Sequence, residues 1–274
     1  MAAIGLALAD ARPALAAAAP AAVPVDRFPG LASAYAVRID GEIVWAAAPD
    51  VPRPPASLAK LLTALALLRD PSYRPDDVVT VSADAARIEG SRIGLRSGER
   101  VRAADLLTGM LVRSGNDACV ALVQHVGGSL ASFRAALDRA ARELGLTATR
   151  IVHPCGLDAP GQATTVRDLL RLADAALAEP GIRLRAGAER AEIRTEAGRR
   201  IRFGNTNALI GRVAGANGLK SGYTSRAGRC LIATADRGGH RVVIVMLDAK
   251  ERWWEASSLI PQAIGYARLR GPAR

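Results

Sequence analysis

The run Ser57-Leu58-Ala59-Lys60-Leu61-Leu62-Thr63-Ala64-Leu65-Ala66-Leu67-Leu68 constrains the fold more than any other stretch of this chain. It is apolar on nearly every face and ends at Arg69-Asp70. Such a pattern predicts a helix surrounded by protein on all sides, which only a sizeable core can provide. A chain of 274 residues is long enough, since it can bury about 70–75% of its unfolded surface. With half its residues apolar and 23% charged, it is neither disordered nor fibrous. No apolar run reaches the ~20 residues of a membrane-spanning helix.

Lys60 is the odd residue in that helix. Only Lys60, Lys220 and Lys250 of the 37 basic residues are lysine, the others being arginine. Arginine cannot give up its proton in a protein, whereas a desolvated lysine can become a base. The net charge of +11 comes from scattered residues. They show no recognition helix, zinc-finger spacing or aromatic-basic RNA motif, so nucleic acid is not an expected partner. The charge suits an anionic wall polymer and an ordinary solvated surface equally well.

Around the central helix, Ser33–Ile39 and Ile43–Ala48 read as strands joined at Asp40-Gly41-Glu42. A polar, β-containing stretch follows to Arg102, then helical patterns at Ala103–Val112, Asp117–Val126, Leu130–Gly145 and Thr165–Ala178. Cys230–Ala235 and Arg241–Leu247 form a second apolar hairpin across Asp236–His240. Glu251–Arg270 reads as a terminal helix interrupted near Pro261, with Trp253 and Trp254 expected to pack it down. Strands at both ends with helices between them predict an α/β fold, in which N- and C-terminal strands form one antiparallel sheet and a mostly helical lobe is inserted. Residues 26–270 then make a single unit. Residues 1–25 are Ala/Pro-rich and read as a signal-peptide remnant or a disordered tail that adds nothing to the fold. Cys119, Cys155 and Cys230 read either as buried fillers or as one pair plus a leftover thiol, and their spacing leaves the compartment open.

Three short stretches carry chemistry. Ser57 and Lys60 lie three residues apart at the start of the buried helix, so they share a face. Burial lowers the lysine pKa and lets it take the serine proton, while the helix amino terminus favours a developing oxyanion. Ser114-Gly115-Asn116 falls on a turn between two apolar helices, where helix capping would also explain it. Gly218-Leu219-Lys220-Ser221-Gly222-Tyr223-Thr224 sets the second lysine among glycines just before the terminal hairpin, a pattern that a plain glycine turn also explains.

In that order, Ser57-x-x-Lys60, Ser114-x-Asn116 and Lys220-Ser221-Gly222 resemble the three motifs of the penicillin-recognising serine enzymes. Pro55–Lys60, Ser114–Ala118, Gly156-Leu157-Asp158 and Gly218–Thr224 look like the D-alanyl-D-alanine carboxypeptidases among the low-molecular-mass penicillin-binding proteins, over about Ala32 to Leu247. The resemblance implies a β-lactamase/transpeptidase-like fold and no metal or organic cofactor. It implies that Ser57 attacks the bond between the terminal D-alanines of a peptidoglycan stem peptide, with Lys60 as base. Ser114 would relay the proton to the leaving amine, and Asn116 would orient the substrate and Lys60. Lys220 and Ser221 would hold the terminal carboxylate, Gly222 belongs to the same motif, and the N–H groups of Ser57 and Tyr223 would form the oxyanion hole. β-Lactams would acylate the same serine. An exported enzyme of the periplasm or cell envelope is implied, with any membrane tether left open and neither a C-terminal β-domain nor an anchor evident. The family more often has threonine at the position of Ser221 and aspartate at that of Asn217.

Other readings use the same residues: a β-lactamase, a DD-endopeptidase, or a non-enzymatic wall-binding protein with a decayed site. The Glu-x-x-Leu-Asn loop of class A β-lactamases is missing between Arg150 and Arg171, where the chain reads His153-Pro154-Cys155-Gly156-Leu157-Asp158. A Ser-His-Asp hydrolase would need His125, His153 or His240, and no Gly-x-Ser-x-Gly elbow exists.

Overall fold

A computed structural model describes residues 24–270. The chain opens with strands β1 (Ala32–Ile39) and β2 (Glu42–Ala47), then a single 3-10 turn at Ala56–Leu58 that runs into α1 (Ala59–Arg69). Next come β3 (Val78–Thr80), α2 (Ala83–Arg87), β4 (Arg100–Arg102), α3 (Ala103–Val112), α4 (Asn116–Gly127), α5 (Arg134–Glu143), α6 (Val166–Ala178) and α7 (Pro180–Ala186). The hairpin β5 (Arg190–Arg194) and β6 (Arg200–Gly204) leads to β7 (Ala216–Thr224), β8 (Gly228–Arg237), β9 (His240–Ala249) and α8 (Arg252–Arg270).

The terminal strands assemble into one antiparallel sheet in the order β2-β1-β9-β8-β7. Strand side chains alternate between faces, and here both faces are buried. Ala34, Ala36, Ile232, Val243, Val245 and Leu247 turn toward the helical lobe. Tyr35, Val37, Leu231, Ala233, Val242, Ile244 and Met246 turn toward α8. Helix α1 lies inside the first of these cores, with Ala59 through Leu67 all buried. The all-round apolar pattern therefore became a central helix, as its composition requires.

Four sequence expectations are corrected. Helix α8 runs unbroken through Pro261. Pro261 faces solvent, while Ala256, Leu259, Ile260, Ala263, Ile264 and Ala267 bury a continuous stripe against the sheet, and that burial outweighs the lost backbone bond. Trp253 is half-buried in the second core, but Trp254 is exposed and packs nothing down. The stretch Gly218–Thr224 is no turn: it is most of edge strand β7, paired residue for residue with β8. Finally, Val25, assigned to the amino-terminal tail, pairs with Trp45, and Ala46 N–H donates to its carbonyl (3.2 Å). Residues 1–23 of that tail lie outside the described residues.

Candidate active site

The site lies where β7 passes the start of α1. Ser57 occupies the 3-10 turn, and Ala56 just before it adopts a left-handed φ of +49°. Ser114, on the turn between α3 and α4, has φ +60°. Each such residue costs of order 1–3 kcal/mol and persists only where its surroundings dictate it. Of the five non-glycine residues with left-handed φ among the described residues, these two lie at the two serine motifs.

Lys60 is fully buried, and three oxygens surround its amine. Its Nζ lies 3.0 Å from Ser57 Oγ, 2.7 Å from Asn116 Oδ1 and 2.5 Å from the Cys155 carbonyl. Burial pushes its pKa well below the ordinary lysine value, Lys220 adds repulsion, and Asp117 opposes both. A neutral amine has two N–H donors and one lone pair. The Asn116 and Cys155 oxygens only accept, so they take the two N–H groups and leave the lone pair aimed at Ser57 Oγ. This is the arrangement in which Lys60 withdraws the serine proton.

Asn116 is itself fixed, its Nδ2 donating to the Glu89 carbonyl at 2.6 Å and its backbone N–H to that of Ser91 at 2.7 Å. Asp117, which the motif analysis passed over, is fully buried and accepts from the N–H groups of Ile93, Gly94 and Leu95 at 2.9–3.1 Å. It thereby ties the loop before β4 to the second motif. Among the described residues the Ser114 hydroxyl makes no hydrogen bond, although the residue is buried.

The loop 153–158 closes the site from the other side. Gly156 packs so tightly that a Cβ there would lie 2.1 Å from the Ala56 carbonyl oxygen and 2.9 Å from Ser57 Cα. Thr63 Oγ1 donates to the Pro154 carbonyl (2.7 Å), Gln162 Oε1 accepts from Val152 and His153 N–H, and Thr224 Oγ1 donates to Asp158 (2.7 Å). His153 spends its Nδ1 on the Cys155 N–H (3.2 Å). Its pKa is lowered by burial and by Lys60. His125 and His240 pair with Asp77 and Asp40. Cys119 and Cys155 form a disulfide, and Cys230 is a buried free thiol. One pair plus a leftover thiol is therefore the correct alternative.

The third motif approaches along β7. A Cβ on Gly222 would come within 2.8 Å of Ser57 N, so only glycine lets the strand run beside the nucleophile's backbone. Lys220 is buried, and its Nζ donates to the Ser221 carbonyl (2.9 Å). Burial, and then the charge of Arg252, push its pKa down to about 7. Ser221 Oγ donates to Thr206 Oγ1 (3.1 Å), and Tyr223 is exposed. Arg252, at the start of α8, is the residue that motif reading missed. It donates to the Gly222 carbonyl, stacks 4.7 Å over the Trp253 ring, and has a buried Nε with no partner. No spacing rule links it to Lys220; only the packing of α8 on the sheet does. Lys220 and Arg252 are neighbouring cations, and among the described residues neither forms an ion pair with a carboxylate.

Residues 27–251 match the family described as D-alanyl-D-alanine carboxypeptidase. The chain belongs to this family. Its relatives include the D-alanyl-D-alanine carboxypeptidases DacF of Bacillus subtilis, 33% identical over 72% of this chain and 52% of the relative, and DacB2 of Mycobacterium tuberculosis, 34% identical over 82% and 77%. The chain spans about half the length of the first relatives it matches. Two solved structures share the fold. A D-alanyl-D-alanine carboxypeptidase from M. tuberculosis superposes with a TM-score of 0.80 at 30% identity, covering 90% of this chain and 96% of that one. A Streptomyces DD-transpeptidase also gives 0.80, at 25% identity, covering 86% and 97%. The antiparallel sheet with its inserted helical lobe is thus the fold of these peptidases.

Proposed function

We propose that this chain is a serine DD-carboxypeptidase that removes the terminal D-alanine from peptidoglycan stem peptides. The observation that carries the reading is the fully buried Lys60 amine, 3.0 Å from Ser57 Oγ and also held by two oxygens that only accept.

The substrate's terminal carboxylate enters the pocket of Lys220, Ser221 and Arg252, where an anion offsets two buried cations. That contact sets the penultimate carbonyl beside Ser57, with the N–H groups of Ser57 and Tyr223 at its oxygen. Lys60 takes the hydroxyl proton as Oγ bonds to the carbonyl carbon. The bond to the last D-alanine breaks, and the proton passes through Ser114 to the leaving amine. Water then cleaves the Ser57 ester, giving the shortened peptide and free enzyme. β-Lactams enter as the same carboxylate and acylate the same oxygen. Residues 26–270 act as one catalytic unit. The envelope is the proposed location: a disulfide persists in oxidising compartments, and among the described residues no helix is long and apolar enough to cross a membrane.

The test is intact mass after adding benzylpenicillin to the wild type and to Ser57→Ala. A long-lived adduct on the wild type alone supports the peptidase. Penicillin consumed without a lasting adduct turns the reading to a β-lactamase. Neither adduct nor consumption removes the acylating mechanism.

A further inference from the structure

One covalent bond at the site has no part in that chemistry. Cys119 and Cys155 are 36 residues apart in sequence, their Cα atoms are 5.9 Å apart, and both are fully buried. Cys119 lies one turn after Asn116 on α4, and Cys155 carries the carbonyl that faces Lys60. The disulfide therefore joins the two segments that supply both acceptors of the Lys60 N–H groups. The loop holding Cys155 belongs to neither helix nor strand from Ile151 to Gln162. Its other ties run through Thr63, Gln162 and Thr224. Within the turn His153 accepts from the Cys155 N–H at Nδ1 (3.2 Å) and from the Gly156 N–H at its carbonyl (2.9 Å), so that among the described residues Lys60 alone donates to the Cys155 carbonyl oxygen.

We propose that the Cys119–Cys155 disulfide is a positioning device for acylation, which fixes the Cys155 carbonyl against Lys60 Nζ so that the amine's lone pair stays on Ser57. The inference rests on the peptidase reading above. With the bond open, the turn that carries the carbonyl keeps its internal bonds but loses its covalent tie to α4, so it can shift as a unit. The amine then loses one of its two fixed acceptors, and water reaches a nitrogen that is fully buried when the bond is formed. The charged groups facing Lys60 are Lys220 from β7, Asp117 from α4 and His153 from the loop. Lys220 and Asp117 lie on other elements and keep their places. The principal change is then solvation, which favours the ammonium form and raises the pH at which Lys60 becomes a base.

Opening the bond with dithiothreitol transfers two electrons and two protons. The disulfide becomes two thiols, and the reductant closes to its cyclic disulfide. Cys230 is already a thiol, so the reductant acts on one bond. The experiment measures the second-order rate of acylation by benzylpenicillin against pH for the oxidised wild type, the reduced wild type and Cys119→Ser/Cys155→Ser. Circular dichroism follows folding, and alkylation mass counts the free thiols. The expected result is a loss of roughly tenfold or more in rate at neutral pH, with the acid-side limb moved about one unit upward, and recovery when oxidised glutathione re-forms the bond. The double variant should match the reduced enzyme and ignore the reductant, and it decides the matter alone should the reductant fail to open the buried bond. An unchanged rate and limb, or a rate lost only in step with the circular dichroism signal, overturns the proposal and leaves the disulfide as a fold staple. An oxidised wild type that is never acylated refutes the peptidase reading instead, so the two failures are distinct.

Discussion

The two buried lysines of this site are held in opposite ways. Lys60 has three oxygens around one nitrogen, two that only accept and the Ser57 hydroxyl that can also donate. Lys220 has a single backbone carbonyl and a second cation, Arg252, for a neighbour. Burial depresses the pKa of both. The difference lies in what completes each. Lys60 is complete in the free enzyme and gains from losing its proton. Lys220 is incomplete until an anion arrives, and then gains from keeping its proton. One region is preorganised for proton transfer and the other for charge recognition.

Lysine-to-arginine exchange separates the two regions most sharply. Arg in place of Lys60 keeps the charge and cannot act as base, so acylation by benzylpenicillin should fall about 10³-fold. Lys220→Arg keeps what a carboxylate needs and should cost only about tenfold, mainly in KM. Both are read as acylation kinetics, with thermal melting to confirm folding. Equal losses in the two variants would break the comparison.

The pH profile comes next. Acylation requires Lys60 neutral and Lys220 charged, so the rate at low substrate should rise through the depressed Lys60 pKa and fall near pH 7, as Lys220 deprotonates in the free enzyme. A bound carboxylate restores the charge on Lys220, so under saturating peptide the upper limb should move to higher pH. A fixed upper limb would mean that Lys220 does not meet the carboxylate. Stability gives an independent reading. From about pH 7 up to the ordinary lysine value of 10.5 the unfolded chain holds a proton on this lysine that the folded chain has lost. Lys60, whose pKa burial also lowers, acts in the same direction, so each lysine raises stability with pH by up to about 1.4 kcal/mol per unit. Cys230 from about pH 9 and Tyr35 from about pH 10 oppose this rise, because burial pushes the folded thiol up from 9.0 to about 11 and the phenol from 10.0 to about 12. Melting temperature against pH should therefore climb from 7, slow above about 9 and fall above about 10.5, and Lys220→Met should lower the slope of the climb.

The two regions also differ in how far they could be read from the chain. Ser57 and Lys60 are legible because helical spacing puts them together and an apolar run around a lysine announces burial. The carbonyl of Cys155 is a backbone group from 95 residues away, with no side-chain signature at all. Arg252 is one of 34 arginines, and only the seating of α8 on the sheet selects it. The terminal hairpins were legible from apolar runs flanking polar turns. Strand β7 was not, because Gly218 and Gly222 dilute its strand pattern while pairing with β8 imposes it. The hairpin β5–β6 is rich in arginine and has only one fully buried residue in each strand, Ile193 and Ile201, too few for a visible alternation.

The smallest effect tests how far along β7 the recognition region extends. Asn217 lies three residues before Lys220, with Thr234 Oγ1 donating to its Oδ1 (2.7 Å) and its Nδ2 donating to Asp236 (3.1 Å). The family resemblance places aspartate here, yet in this chain an aspartate would turn a donor into a second carboxylate facing Asp236. The cost is moderated because Arg241 already grips Asp236 through two hydrogen bonds, at 2.7 and 2.8 Å, and the group is open to water. Asn217→Asp should therefore lower stability by about 1 kcal/mol, seen as a drop of roughly 2–4 °C in melting temperature, with acylation kinetics unaltered. Asp236→Asn in the same chain should restore the loss, since it removes the opposing charge. A change in KM instead would mean that the field of residue 217 reaches the cation pocket, and that recognition begins a full turn of the pleat earlier than Lys220.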